Sequence, residues 1–223
     1  MKKLWPIIPI LLFGLARAGD ATLLTLTGFS GDGAYVAFQQ TAINDGSGFP
    51  YSVLSVVDVA RNTLVYANTT SIETSGATEN QAQAKAVTQA VAVLKKYGIQ
   101  PGDQGRFVFG NFAGGRETLS AKTSFEFAAL GRTYSLEVIT RDLPLTTKCD
   151  MTAPQLLEVR LSSGNANRVL QRDTKLPASR GCAYIYRLHS VFLKGSGLVV
   201  FFAVYNPGFE GPDLNWMAVT AKL

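Results

Sequence analysis

Cysteine and histidine are almost missing from this 223-residue chain, which holds Cys149 and Cys182 and a single imidazole, His189. A structural zinc site uses four nitrogen or sulfur ligands, and this inventory cannot supply them. Acyl transfer through serine or cysteine needs a base held by an orienting group, so any such arrangement has to pass through His189 in the strand-like run 184–189. No Gly-x-Ser-x-Gly elbow accompanies it, and a strand histidine more often has a structural role. Runs of Lys and Arg are also missing; bases and acids are interspersed, which excludes the basic stripe that binds nucleic acid. Beyond the N-terminus no apolar run is long enough to span a hydrocarbon core of about 30 Å, and the most apolar one, 199–204, is strand length.

What is present begins with an export signal. Lys2 and Lys3 precede an apolar run over 4–15 and then Ala16-Arg17-Ala18, a small-x-small cleavage pattern before Gly19. The run is too short for a membrane helix and is interrupted by Pro6 and Pro9. Residues 1–18 are therefore expected to be a cleavable signal peptide, and 19–223 a single secreted domain, periplasmic or extracellular. Losing Lys2, Lys3 and Arg17 with the leader leaves 18 bases against 16 acids, so the precursor's charge of +5 falls to +2. In an oxidising compartment a lone cysteine pair reads most simply as a disulfide, contributing about 3–4 kcal/mol by loop closure. A redox pair or a metal site are the alternatives, and Cys149 and Cys182 lack C-x-x-C spacing.

The mature chain reads as mainly β. Strands are expected near 23–29, 34–39, 53–60 and 64–67, with turns at Gly31-Asp32-Gly33 and Asn44-Asp45-Gly46-Ser47-Gly48. A second set follows at 106–109, 123–128, 133–140, 156–161, 167–171, 183–193, 198–205 and 216–222. Alternation in Tyr134-Ser135-Leu136-Glu137-Val138 implies sheets with one wet face. One long helix over about 78–97 separates the two sets. Thr78 and Gln81 fit a capping box, Ala84, Val87, Ala90, Val91 and Leu94 share a face, and Gly98 suits the position past the end. The narrow, small apolar stripe suits packing flat on a sheet; a partner-binding helix is the sharper alternative. The expected architecture is antiparallel, sandwich-like or propeller-blade-like. A faint internal echo links 29–38 with 192–201, each followed by a Gly-Phe loop, at Gly48-Phe49 and Gly208-Phe209.

Two resemblances attach to these residues. The string Phe29-Ser30-Gly31-Asp32-Gly33-Ala34-Tyr35-Val36-Ala37-Phe38, with Val56-Val57-Asp58-Val59, resembles one blade repeat of the WD-like, Tol-associated β-propellers. A fuller likeness rests on four blocks: Asp45-Gly46-Ser47-Gly48-Phe49-Pro50-Tyr51-Ser52, Tyr97-Gly98-Ile99, Leu176-Pro177-Ala178-Ser179-Arg180-Gly181-Cys182-Ala183, and Asn206-Pro207-Gly208-Phe209-Glu210-Gly211-Pro212-Asp213 with Ala218-Val219-Thr220-Ala221. Together they resemble a family of bacterial predicted secreted proteins, a domain of unknown function. The resemblance implies export and a shared fold and carries over no catalytic residue.

The remaining chemistry lies in loops. Asp45, Asp58, Glu210 and Asp213 stand in or beside the Gly-Phe loops and are expected to act as an acid–base pair on a glycan only if the sheets bring them within about 5–9.5 Å. The same acids suit calcium as oxygen ligands, although neither loop has EF-hand spacing, and ordinary turn chemistry explains them as well. Gly110-Asn111-Phe112-Ala113-Gly114-Gly115-Arg116 lacks a P-loop lysine and reads as a loop. Phe49, Tyr51, Phe209 and Trp216 form either a recognition surface for peptide or sugar or a plug for the end of a β-sandwich. Asp45, Phe49, Tyr51, Phe209, Glu210, Asp213 and Trp216 are thus the candidate binding residues, with no catalytic or metal residue assigned. The leading expectation is a non-enzymatic envelope module contacting an envelope protein or polymer. A carboxylate hydrolase and a calcium-stabilised module are the alternatives.

Overall fold

The computed structural model describes residues 21–111, 122–208 and 211–223; the expected leader 1–18, most of the Gly-rich loop, Phe209 and Glu210 lie outside them. The first meander forms as β1 (Leu23–Phe29), β2 (Tyr35–Ile43), β3 (Pro50–Asp58) and β4 (Thr63–Ser71), a sheet in sequence order. Helices α1 (Glu79–Gln89) and α2 (Val91–Lys96) follow. Then β5 (Arg106–Gly110) crosses to the edge of a second sheet. Its other strands are β10 (Ile185–Lys194), β11 (Gly197–Pro207) and β12 (Pro212–Lys222), in the order β12-β11-β10-β5. Between them β6 (Lys122–Ala129), β7 (Arg132–Asp142), β8 (Gln155–Ser163) and β9 (Ala166–Arg172) make a third antiparallel meander.

Side-chain alternation along β11 fixes the layering. Val199 and Phe201 meet Phe29, Val36, Phe38 and Val57 of the first sheet. Leu198, Val200, Phe202 and Val204, one step out of phase, meet Leu136, Val138, Leu157 and Val159 of the third. The second sheet is therefore sandwiched, and a strand covered on both faces loses its polar alternation. That explains the unbroken apolar run 199–204. The echo noted in the sequence becomes a pair of facing hairpins, β1–β2 and β10–β11, with Phe38 edge-on to Phe201 at 5.3 Å. Each carries a bulge, next to Gly28 and at His189 respectively. Backbones approach closely here: a Cβ on Gly33 would stand 2.1 Å from the Lys194 carbonyl oxygen.

The other face of the first sheet carries the helices. Ala37, Leu54 and Val56 take Ala86, Ala90 and Leu94. The capping box is present, with Thr78 N donating to Gln81 Oε1 at 2.8 Å and Gln81 N to Thr78 Oγ1 at 3.4 Å. The single helix expected over 78–97 is broken at Ala90, whose N–H is shared between the Ala86 and Val87 carbonyls at 3.1 Å each. Thr88 Oγ1 donates back to the Ala84 carbonyl at 3.0 Å, an i−4 bond that bends helices just where the break falls. Gly98 ends the pair at φ 62°, the left-handed conformation expected of it. Outward on the third sheet, Lys122, Glu137, Arg160, Glu158 and Arg172 form a cross-strand ladder of ion pairs. Arg172, then Arg160, hold the Glu158 carboxyl below its ordinary range. No helix among the described residues is long and apolar enough to cross a membrane.

Candidate binding clefts beside the disulfide

The two Gly-Phe hairpins sit at one end of the stack. Ala21 bridges Leu214, next to the β11–β12 turn, and Leu23 pairs with Thr41 near the β2–β3 turn. Asp45 is exposed at the tip of the β2–β3 turn, where Asn44 Oδ1 accepts from Ser47 N at 2.9 Å and Gly48 takes φ 68°. Phe49 and Tyr51 are half-buried at its base. Asp58 does not belong with these acids. It ends β3, about 26 Å along the strand from Pro50, and accepts from Arg61 N and Nη1 in the β3–β4 turn. Proximity in the sequence to the first Gly-Phe loop was misleading, because a nine-residue strand carries the chain the full height of the sheet.

Asp213 and Trp216, both on β12, fall into separate clefts. The wall between them is the segment 173–182, which sequence reasoning did not single out as a site. A 3₁₀ turn, Ala178–Arg180, leads through Gly181 (φ 55°) to Cys182. Cys182 is joined to Cys149 of the β7–β8 loop across a Cα separation of 5.6 Å, the disulfide expected. Arg180 is the second restraint. Its guanidinium donates through Nη2 to Asp173 Oδ1 and through Nη1 to Tyr186 Oη at 3.1 Å. Asp173 also accepts from Leu157 N at 2.9 Å and Gln171 Nε2 at 2.8 Å. The ion pair is enclosed, its side chains 11% and 2% exposed. Burial pushes the Tyr186 phenol up, with the Arg180 charge pulling the other way. Asp and Arg seven residues apart in irregular chain carry no periodic signal, and only the fold reveals the pair.

On one side of this wall lies an open cleft of about 470 Å³ between the disulfide and the β11–β12 end. Lys148, Asp150, Asp213 and Asn215 give it a mixed charged lining. Asn206 Oδ1 is buried against Gly181 and has no hydrogen-bond partner among the described residues. On the other side a cleft of about 450 Å³ opens between the first sheet, β12 and the chain after β9. Phe38, Val57, Leu64, Trp216 and Met217 supply its apolar walls, and Gln40, Asn62 and Gln171 its amides. Ser179 and Arg180 line both. Asp45, Phe49 and Tyr51 line neither.

Trp216 is held rather than free. Its Nε1 donates to the Thr22 carbonyl at 2.8 Å, and its ring meets His189 edge-on at 4.6 Å. Burial pulls the His189 imidazole below its ordinary pKa, and Nδ1 lies 3.0 Å from Ser190 Oγ. Ser190 is only 2% exposed, so that hydroxyl is closed to substrate. Among the described residues no group of three or more His, Cys, Asp or Glu is arranged to hold a metal ion.

Compared with known proteins, the chain matches the model of a family described as predicted secreted protein (DUF2259) over residues 37–222. That span includes the disulfide and the lining of both clefts. No curated protein and no solved structure matches it.

Proposed function

This chain belongs to the DUF2259 family of predicted secreted proteins, and from that premise we propose an exported, non-enzymatic binding module of the cell envelope. Its contacts run through the 173–182 wall and the clefts beside it, and its partner is an envelope protein or polymer. Residues 19–223 act as one domain once the leader is removed. Asp213 serves one cleft and Trp216 the other, while Asp45, Phe49 and Tyr51 extend the surface at the hairpin end; Phe209 and Glu210, outside the described residues, join them as candidates on the sequence alone. One observation carries this reading: a surface turn shared by two clefts is fixed twice, by a disulfide and by a buried ion pair. Fixing a loop before a ligand arrives removes ordering cost from binding, which a mere connection does not need.

Ser179 is exposed and lines both clefts, so Ser179→Trp fills them without touching the core. With the exported protein as bait in envelope extract, the parent recovers a reproducible partner and Ser179→Trp recovers at least tenfold less at unchanged melting temperature. Equal recovery by both, or no reproducible partner with the parent, contradicts the proposal.

A further inference from the structure

The outer edge of β12 faces the neutral cleft, and from 214 to 222 one peptide group is capped at every outward position but one. Residues 214, 216, 218, 220 and 222 turn their peptide groups off the sheet, since register pairs Trp216 with Ala203 and Thr220 with Val199 while both N–H groups point away from β11. Thr22 N donates to the Leu214 carbonyl at 3.1 Å, and Gln40 Oε1 accepts from Trp216 N at 2.7 Å. Asn62 Oδ1 accepts from Thr220 N at 2.8 Å, and Arg168 Nη2 donates to the Lys222 carbonyl at 2.7 Å. Capping an exposed edge with side chains blocks unwanted strand pairing. At Ala218, midway between the Gln40 and Asn62 caps, no described side chain or strand completes the pattern, and Ala218 lines the cleft.

We propose that this gap is a binding subsite for a single secondary amide, the acetamido group of an N-acetylated saccharide. The proposal rests on the binding-module reading above and names its ligand class. Ala218 offers one N–H and one C=O side by side, the complement of one amide. An extended peptide adding as a strand needs consecutive outward N–H and C=O groups, and the N–H groups at 216 and 220 are already taken. Charge points the same way. Among the described residues the charged ones on the lining, Asp173 and Arg180, are paired with each other, so the cleft favours a neutral ligand over a carboxylate, phosphate or ammonium. Trp216 and Met217 flank the gap with apolar surface for the acetyl methyl and a sugar face. At about 450 Å³ the cleft lies in the range of small-molecule sites.

The test uses the exported protein labelled with ¹⁵N-alanine, titrated with the β-1,4 trimer of N-acetylglucosamine and, separately, with its deacetylated counterpart. The acetylated trimer is expected to move the Ala218 amide resonance saturably, and the deacetylated trimer to bind at least tenfold more weakly. Ala218→Pro deletes an N–H that points off the sheet, a position where proline is tolerated on an edge strand, and is expected to weaken the acetylated trimer about tenfold. Equal affinity for the two trimers, binding that leaves Ala218 unmoved, binding by neither, or a shift at Ala218 only with an extended peptide overturns the proposal. Should Ala218→Pro fail to fold, the parent's Ala218 resonance decides alone. Rejection here, with partner capture still lost in Ser179→Trp, leaves the binding module standing and removes only the acetamido ligand.

Discussion

Strand β2 faces two different interiors. Val36 and Phe38 point into an apolar space against Val199 and Phe201 of the second sheet. Gln39 and Thr41, one step out of phase, point under α1 into a hydrogen-bonded layer. There Gln39 Nε2 donates to Ser52 Oγ at 3.1 Å and to the Gln83 carbonyl at 3.0 Å, and Thr41 Oγ1 to Ser52 Oγ at 3.0 Å. Apolar burial stabilises without regard to direction, whereas a buried polar layer is favourable only while each group keeps its partner. The apolar spaces hold the stack together, and the hydrogen-bonded ones fix how helix and turn lie upon it.

Substitutions that enter one space or the other sharpen this contrast. Phe201→Ala opens a cavity in the apolar space at a fully buried ring and is expected to cost about 4 kcal/mol, read as a shift of the urea midpoint. Asp173→Ala strands Arg180 beside Tyr186 and is expected to cost about 3 kcal/mol and to loosen both clefts, detectable as faster amide exchange at 178–182. Gln39→Ala removes the hub of the layer beneath α1, costing about 2 kcal/mol, with exchange rising in α1 before β11. Thr78→Ala deletes only the helix cap, costing about 1 kcal/mol. Equal costs for Phe201→Ala and Thr78→Ala would erase the distinction.

Acid acts on the same framework with a definite sign. Burial lowers the His189 pKa, so the unfolded chain takes up this proton first; the resulting stability is present above about 6.5 and is lost as pH falls through the folded value. Glu158 and Asp32 are depressed as well, by their Arg172 and Ser30 hydrogen bonds first, and withdraw stability at lower pH still. Melting temperature is thus expected to fall from pH 7 to pH 5, and less steeply in His189→Gln.

Much of this was legible in the residues. Each of the twelve strands overlaps a segment marked by alternation and turn residues; most run longer where a ladder partner extends pairing past the apolar pattern, as at Thr63–Ser71, whereas β3 stops at Asp58 and β10 starts at Ile185, two residues inside the expected limits. The capping box, the Gly98 stop and the Cys149–Cys182 bond follow from local chemistry that the fold leaves alone. Sheet order was not legible, because β5 pairs with β10 across eighty residues and no local feature records it. Nor was the break at Ala90, beside which the Thr88 hydroxyl bonds back to the Ala84 carbonyl. At the candidate site, Asp213 and Trp216 were visible as loop-flanking residues. The wall that separates them was not, since Asp173, Arg180 and Tyr186 meet only after the second and third sheets have stacked.

Recognition through the 173–182 wall can be probed where it stands. A photo-activated cross-linking residue placed at Ser179, with a control at exposed Glu126 on the third sheet, reports which surface meets the partner in the intact envelope. The expected result is a discrete adduct from position 179 and none from 126. Equal labelling from both, or an adduct from 126 alone, would contradict a binding function for this wall.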